Sequence, residues 1–227
     1  MMAHLVRYHR STTQRRAANK RGGAIQKNSQ GEPSAGVPNL ILLKRFLKHP
    51  REVGALAASS KALSRAVAEA ANLQDAETVV EFGPGTGVIT EMVLERLPQD
   101  ATFMAIETAP EFVEILRNRF PDLNVINDSA VNTRKHLEEV GKDFCDSVVS
   151  GLPWAVFDDA LQDALMDTLL NVLRPGGRFS AFMYTSALLL RGGRRFRRIL
   201  GERFSTASVA EVVWANLPPA LVLCADK

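Results

Sequence analysis

Thr78-Val79-Val80-Glu81-Phe82-Gly83-Pro84-Gly85-Thr86-Gly87-Val88-Ile89-Thr90 decides how this chain folds. Its opening apolar run reads as a buried strand that closes on an acid, and the glycines after it are spaced G-x-G-x-G. An amphipathic helical stretch follows. Glycine adopts positive φ and carries no Cβ, so the backbone can approach a ligand closely there. A strand, a glycine turn and a helix in that order predict a nucleotide-binding turn. The next apolar run, residues 101–106, closes on a second acid, Glu107, where a ribose-binding carboxylate is expected. Together the two acids and the loop predict a ligand carrying an adenosine moiety.

The spacing narrows the ligand. A dinucleotide fold usually shows G-x-G-x-x-G and sets a pyrophosphate against a helix N-terminus. Here the third glycine arrives one residue early and Glu81 precedes the loop. A carboxylate repels a pyrophosphate but suits a ligand with an amino group and a sulfonium cation. The reading is therefore S-adenosylmethionine rather than a nicotinamide cofactor.

Outward from the loop, strands and helices alternate. Strands are predicted over residues 78–82, 102–106, 124–126, 147–150 and 178–183. Helices are predicted over 87–97, 110–120, 132–140 and 157–173, with Arg174-Pro175-Gly176-Gly177 as the turn into the fifth strand. This alternation implies a parallel, doubly wound sheet with right-handed crossovers. Two final apolar stretches, 208–214 and 220–225, leave no room for a crossover helix and read as an antiparallel hairpin. The expected fold is α/β, with a seven-stranded, mostly parallel sheet.

Residues 1–38 carry seven Lys or Arg against Glu32, a net +6, so the rest of the chain is −3 within the total of +3. They have little apolar periodicity and are expected to form a basic disordered tail with an anionic partner, membrane lipid or nucleic acid. A short basic amphipathic helix is predicted from Asn39 to Lys48, with Lys44, Arg45 and Lys48 set against Leu40, Leu43, Phe46 and Leu47. It reads either as a cover for the core or as a segment lying in a membrane interface, its cations toward lipid headgroups. A second helix is predicted over 60–71, making 39–74 a helical appendage to an α/β domain at 75–227.

Cys145 and Cys224 lie in strand-like runs and read as reduced core residues, and four scattered histidines give no metal signature. No apolar run reaches the roughly eighteen residues needed to span a bilayer. A cytoplasmic protein at the inner face of the membrane is expected. The Arg-rich, acid-poor start also has the composition of an organellar transit peptide.

Glu81-Phe82-Gly83-Pro84-Gly85-Thr86-Gly87, the strand-end Glu107, Asp128 and Arg174-Pro175-Gly176-Gly177 resemble the class I S-adenosylmethionine-dependent methyltransferases over residues 75–227. Residues 46–55 and 59–63, Ser150-Gly151-Leu152-Pro153-Trp154, Phe182-Met183-Tyr184 and residues 213–220 resemble, more narrowly, bacterial phospholipid N-methyltransferases. The resemblance implies that the Gly83–Gly87 loop carries the methionine end of the cofactor, with Glu81 near its ammonium group. It further implies that Glu107 takes the ribose hydroxyls, that Asp128 takes the adenine amino group with Ser129 nearby, and that Ser60 and Lys61 close over the cofactor. Ser150, at the end of the fourth strand, belongs to the same implied set. The product would be S-adenosylhomocysteine.

The rRNA adenine dimethylases, the nearest rival family, carry Asn-Leu-Pro-Tyr where this chain has Gly151-Leu152-Pro153-Trp154. Glycine offers no amide to hold an adenine amino group. Trp154 instead suits an amine that becomes a quaternary cation, through cation–π attraction, and Tyr184 would orient that amine. Arg191, Arg194 and Arg195 suit phosphate, of a lipid headgroup or of RNA. The expected activity is methylation of phosphatidylethanolamine, successively to phosphatidylcholine. The alternatives are RNA methylation and a non-catalytic cofactor-binding module on membranes.

Overall fold

The structure, a computed structural model, describes residues 53–227, with side chains from Lys61 onward. The basic tail, the helix expected at 39–48 with Lys44, Arg45 and Lys48, and the side chain of Ser60 lie outside the described residues.

Helix α1 (Val53–Ala70) precedes β1 (Thr78–Phe82), α2 (Val88–Leu94), β2 (Thr102–Glu107), α3 (Pro110–Arg119) and β3 (Asn124–Asn127). A 3-10 turn (Ala130–Asn132), α4 (Thr133–Glu139), β4 (Cys145–Ser150) and a second 3-10 turn (Trp154–Val156) come next. Helix α5 (Asp159–Val172), β5 (Leu173–Tyr184), a third 3-10 turn (Thr185–Leu189), α6 (Arg191–Arg203), β6 (Thr206–Val213) and β7 (Ala220–Asp226) complete the order. The strands form one seven-stranded sheet in the order β3-β2-β1-β4-β5-β7-β6. The first five are parallel, while β7 runs antiparallel to both β5 and β6. The doubly wound sheet and terminal antiparallel pair match the sequence reading.

The chain leaves β1 in one direction to build β2 and β3, then returns to the other side of β1 to build β4. That reversal opens a crevice at the carboxyl ends of β1 and β4, where ligands bind in open α/β sheets. Two backbone bonds extend the ladders just past the strand ends: the Gly83 N–H donates to Ile106 O at 3.0 Å and the Gly151 N–H to Phe82 O at 2.9 Å.

Every residue of β1 is buried. Val80 and Phe82 pack on one face with Trp154, Leu169, Phe179 and Phe196, and Val79 on the other with Val67 of α1 and Val93 of α2. A fully buried valine or leucine of this kind contributes about 1.5–3 kcal/mol. Cys145 and Cys224 are free thiols, and burial pushes Cys145 up to about 12.

Several boundaries depart from the sequence reading. The fifth strand starts at Leu173, which pairs with Cys145 before the register shifts to Arg178 opposite Ser147. Arg174-Pro175-Gly176-Gly177 is therefore a bulge rather than a free turn. Gly176, at φ +71°, donates its N–H to Lys227 O at 2.9 Å. Helix α5 begins only after Asp158, whose Oδ1 accepts the Leu161 N–H at 2.8 Å as an N-cap. The arginine run is a helix of 13 residues, α6, with Phe196, Ile199 and Leu200 buried beneath it.

Candidate active site

The glycine loop turns at the crevice. Gly83, Gly85 and Gly87 all hold positive φ, and Gly85 does so in open space, so conformation alone demands glycine there. The Gly85 N–H donates to Glu107 Oε2 at 3.1 Å, joining the loop to the end of β2. Glu107 Oε1 accepts the Ala109 N–H at 2.9 Å and the Thr108 hydroxyl at 3.4 Å.

Glu81 is fully buried at the end of β1. Thr90, on α2, donates its hydroxyl to Glu81 Oε2 at 2.7 Å, while Oε1 makes no hydrogen bond among the described residues. Burial raises its pKa from 4.5 to about 8; the Thr90 bond opposes that rise and the Glu107 charge adds to it. A buried carboxylate oxygen without a donor is costly unless a cation meets it.

Asp128 follows β3. Its Oδ1 accepts the Ser129 N–H at 2.7 Å and the Asn132 amide at 2.8 Å, and its Oδ2 lies 2.8 Å from His136 Nε2. The Asn132 bond first, then His136 and the Ser129 amide, hold its pKa down at about 2. A carboxylate has roughly four acceptor sites, so Oδ2 keeps one for a further donor. The other His136 nitrogen lies 2.9 Å from Glu139 Oε2. Asn127 donates to the carbonyls of Glu107 at 2.9 Å and Thr108 at 3.1 Å, locking the ends of β2 and β3 together.

Thr90, Asn127, Asn132 and His136 were not singled out from sequence. Asn132 and His136 stand four and eight residues after Asp128, the spacing of one helical face, and that was the available signal.

On the acceptor side two expectations need correction. Trp154 is 1% exposed and is not an open wall of the cleft. Its ring stacks on Phe196 at 4.5 Å and meets Phe179 edge-on at 5.8 Å. Its Nε1 donates to Ser150 Oγ at 3.0 Å, and that hydroxyl also accepts the Leu152 N–H at 3.3 Å. Ser150 is thus occupied inside the core, supporting Trp154.

Arg195 is the second correction. Its guanidinium grips Asp163 at 2.7 and 2.8 Å and Gln162 at 3.0 Å, with only 13% of the side chain exposed, so it is committed to α5. Arg191 pairs with Asp159 at 2.7 Å but remains 82% exposed. Arg194 donates to the carbonyls of Leu188 and Leu189 at 3.3 and 2.8 Å.

Tyr184 ends β5, half-buried and edge-on to Phe182 at 5.6 Å. Burial raises its phenol pKa, so the hydroxyl stays protonated. Lys61 is exposed in a depression of about 580 Å³ between α1 and β6, beside Glu211 and Trp214. No hydrogen bond or ion pair with the glycine loop holds it there among the described residues.

Residues 79–177 match the family described as a methyltransferase domain. An ornithine lipid N-methyltransferase of Singulisphaera acidiphila is 33% identical over 159 residues, 69% of this chain and 83% of that protein. The chain belongs to the class I S-adenosylmethionine-dependent methyltransferases. A ribosomal RNA small subunit methyltransferase A of Chlorobium phaeobacteroides is 29% identical over 110 residues, 48% of this chain but 40% of that protein. The fold is shared with an O-methyltransferase of Bacillus cereus solved with SAH (TM-score 0.60, 14% identity, 85% of this chain and 94% of that one). It is shared too with the O-methyltransferase TomG of Streptomyces achromogenes solved with SAM (TM-score 0.59, 16% identity, 81% and 96%).

The residues of this methyltransferase fit its cofactor. Glu81 Oε1, without a hydrogen bond among the described residues, matches an ammonium group, the open space at Gly85 permits close approach, and Asp128 Oδ2 retains an acceptor site. S-adenosylmethionine, when bound, supplies an electrophilic methyl group on a sulfonium.

Proposed function

We propose that this methyltransferase transfers methyl groups to the amine of a membrane-lipid headgroup, phosphatidylethanolamine, successively to phosphatidylcholine, at the membrane surface. The similarity to a lipid N-methyltransferase across 83% of that relative carries the reading. Gly151 supports it against the adenine-methylating alternative. A Cβ there would stand 2.5 Å from the Gly83 carbonyl oxygen, so no amide side chain fits without moving the cofactor loop.

In this reading Glu81 holds the methionine end of the cofactor, Glu107 its ribose and Asp128 its adenine. The protein must then desolvate the acceptor amine, keep it uncharged and align its lone pair. Tyr184 would accept a hydrogen bond from the primary and secondary amines of the first two steps through its hydroxyl oxygen and so fix the lone pair's direction. The tertiary amine of the last step has no N–H to donate. The proton lost at each methylation of a primary or secondary amine passes to solvent.

The test is transfer of label from S-adenosylmethionine to vesicles containing phosphatidylethanolamine, to vesicles containing ornithine lipid, and to ribosomal RNA. Labelled mono-, di- and trimethylated phosphatidylethanolamine is expected. Label in ornithine lipid alone would move the acceptor, and label in RNA alone would overturn the lipid reading.

A further inference from the structure

Beside Tyr184, the carboxyl edge of the sheet carries four large apolar side chains left in solvent. They are Leu189 (80% exposed), Trp214 (76%), Leu217 (71%) and Leu190 (46%). Two come from the segment after β5 and two from the β6–β7 connection. Those segments are laced together: Tyr184 pairs with Ala220, and the Thr185 N–H donates to Pro219 O at 2.9 Å.

The connection is held from within. Asn216 is buried, donating its side-chain amide to Pro218 O at 2.6 Å and its N–H to Val213 O at 3.3 Å. The polar residue is therefore inside and Trp214 and Leu217 are outside, the reverse of the ordinary partition. One exposed leucine needs no explanation, but four large apolar side chains on two segments joined at Thr185 and Pro219 mark an interaction site.

Charge selects the occupant. The Arg194 guanidinium lies against the carbonyls of Leu188 and Leu189 and has no acidic partner among the described residues. Arg191 is largely in water, and Arg197 is exposed one turn further along α6. Leucines and an indole beside exposed guanidiniums, of which Arg191 alone has an acidic partner (Asp159) among the described residues, suit an anionic bilayer. The aliphatic groups enter the acyl boundary, the indole sits at headgroup depth and the cations meet phosphate.

We infer that Leu189, Leu190, Trp214 and Leu217 form a membrane-docking edge that inserts into an anionic bilayer and brings the Tyr184 end of the sheet to the lipid amine. The inference rests on the lipid-acceptor reading above. Docking at this edge shortens the path of the headgroup, because the acceptor need not leave the membrane.

Two Trp residues make the test direct, since Trp154 is buried whether or not the protein is bound. The full chain is mixed with vesicles of phosphatidylethanolamine and phosphatidylglycerol. Emission of Trp214 is expected to shift to the blue and to be quenched by brominated acyl chains. Trp214→Glu with Leu217→Glu, and separately Leu189→Glu with Leu190→Glu, should each lower vesicle binding at least tenfold. Both should leave cofactor affinity and methylation of detergent-dispersed lipid unchanged. The milder Trp214→Ala guards against a folding defect and should show a smaller loss. Wild-type vesicle binding by both double variants, or no spectral shift of Trp214, would overturn the docking edge even if lipid is methylated. A change in sedimentation mass in those variants, with vesicle binding intact, would reassign the edge to a second copy of the chain. A shifted Trp214 with no lipid methylated would instead sink the acceptor reading and leave the edge standing.

Discussion

Thr90 donates its hydroxyl to Glu81 Oε2 at 2.7 Å and leaves the equally buried Oε1 with no hydrogen bond among the described residues. This half-satisfied carboxyl makes the stability of the cofactor-free protein depend on pH. Its pKa is 4.5 in an unfolded chain and about 8 in the fold, so the native state retains a proton the unfolded chain releases. The stabilisation is fully present below pH 4.5 and is lost as pH rises through 8, a change on the order of 5 kcal/mol at most. Melting temperature measured without cofactor should fall across that window, and Glu81→Gln should flatten the profile. The same variant should weaken S-adenosylmethionine binding roughly 10- to 100-fold, the worth of one charged hydrogen bond. Calorimetric titration at pH 8 reads this directly, and unchanged affinity would remove Glu81 from the site.

Asp128 is held by Ser129, by Asn132 and by His136; the last two were not singled out from sequence, and His136 also reaches a second carboxylate. Its two ring nitrogens lie 2.8 and 2.9 Å from carboxylates of Asp128 and Glu139. A neutral imidazole can donate to only one of them. His136→Ala should release Asp128 Oδ2 and weaken cofactor binding roughly 3- to 10-fold, since a second-layer hydrogen bond contributes about 1 kcal/mol. Asp128→Ala should cost more. If His136→Ala lowered melting temperature and left affinity untouched, the histidine would serve packing alone.

Gly151 and Gly83 lie back to back, and a Cβ on Gly151 would come 2.5 Å from the Gly83 carbonyl. The neighbour is backbone, so it cannot swing aside. Gly151→Ala should destabilise the protein by about 1–3 kcal/mol and reduce cofactor affinity, because the displaced residue opens the glycine loop. Gly151→Asn should be no better and should not confer methylation of RNA. Thermal melts and cofactor titration of both variants decide it.

How far the chain could be read ahead of its structure follows from where each partner lies. The glycine loop, Glu81 and Glu107 were legible because a strand, its turn and the following helix are contiguous, and the strand ends fall at one edge of a parallel sheet. Helix α5 and the hairpin were legible from periodicity. Trp154 was misread because its stacking partner, Phe196, belongs to an arginine run whose local signal is charge. Arg195 looked available for phosphate because Asp163, 32 residues away, gives no local hint that α5 and α6 face each other. The bulge at Gly176 was hidden for the same reason, since its carbonyl partner is on Lys227.

The correction at Trp154 has its own consequence. A Trp that held the substrate cation would govern KM, whereas one buried between Phe196 and Phe179 governs stability. Trp154→Ala should cost about 3–5 kcal/mol by leaving a cavity. Trp154→Phe keeps the stacking face but removes the donor to Ser150 Oγ, so it should cost nearer 1 kcal/mol. Ser150 would then lose one of its two donors, with the Leu152 amide still bound. Steady-state kinetics of Trp154→Phe should show lipid KM within about twofold of wild type, because no face of the ring is open to solvent. Phe196→Ala should reproduce the stability loss of Trp154→Ala, as both break one stack. A tenfold rise in KM for Trp154→Phe, without a matching drop in melting temperature, would return the indole to the acceptor pocket and require α6 to move when substrate binds.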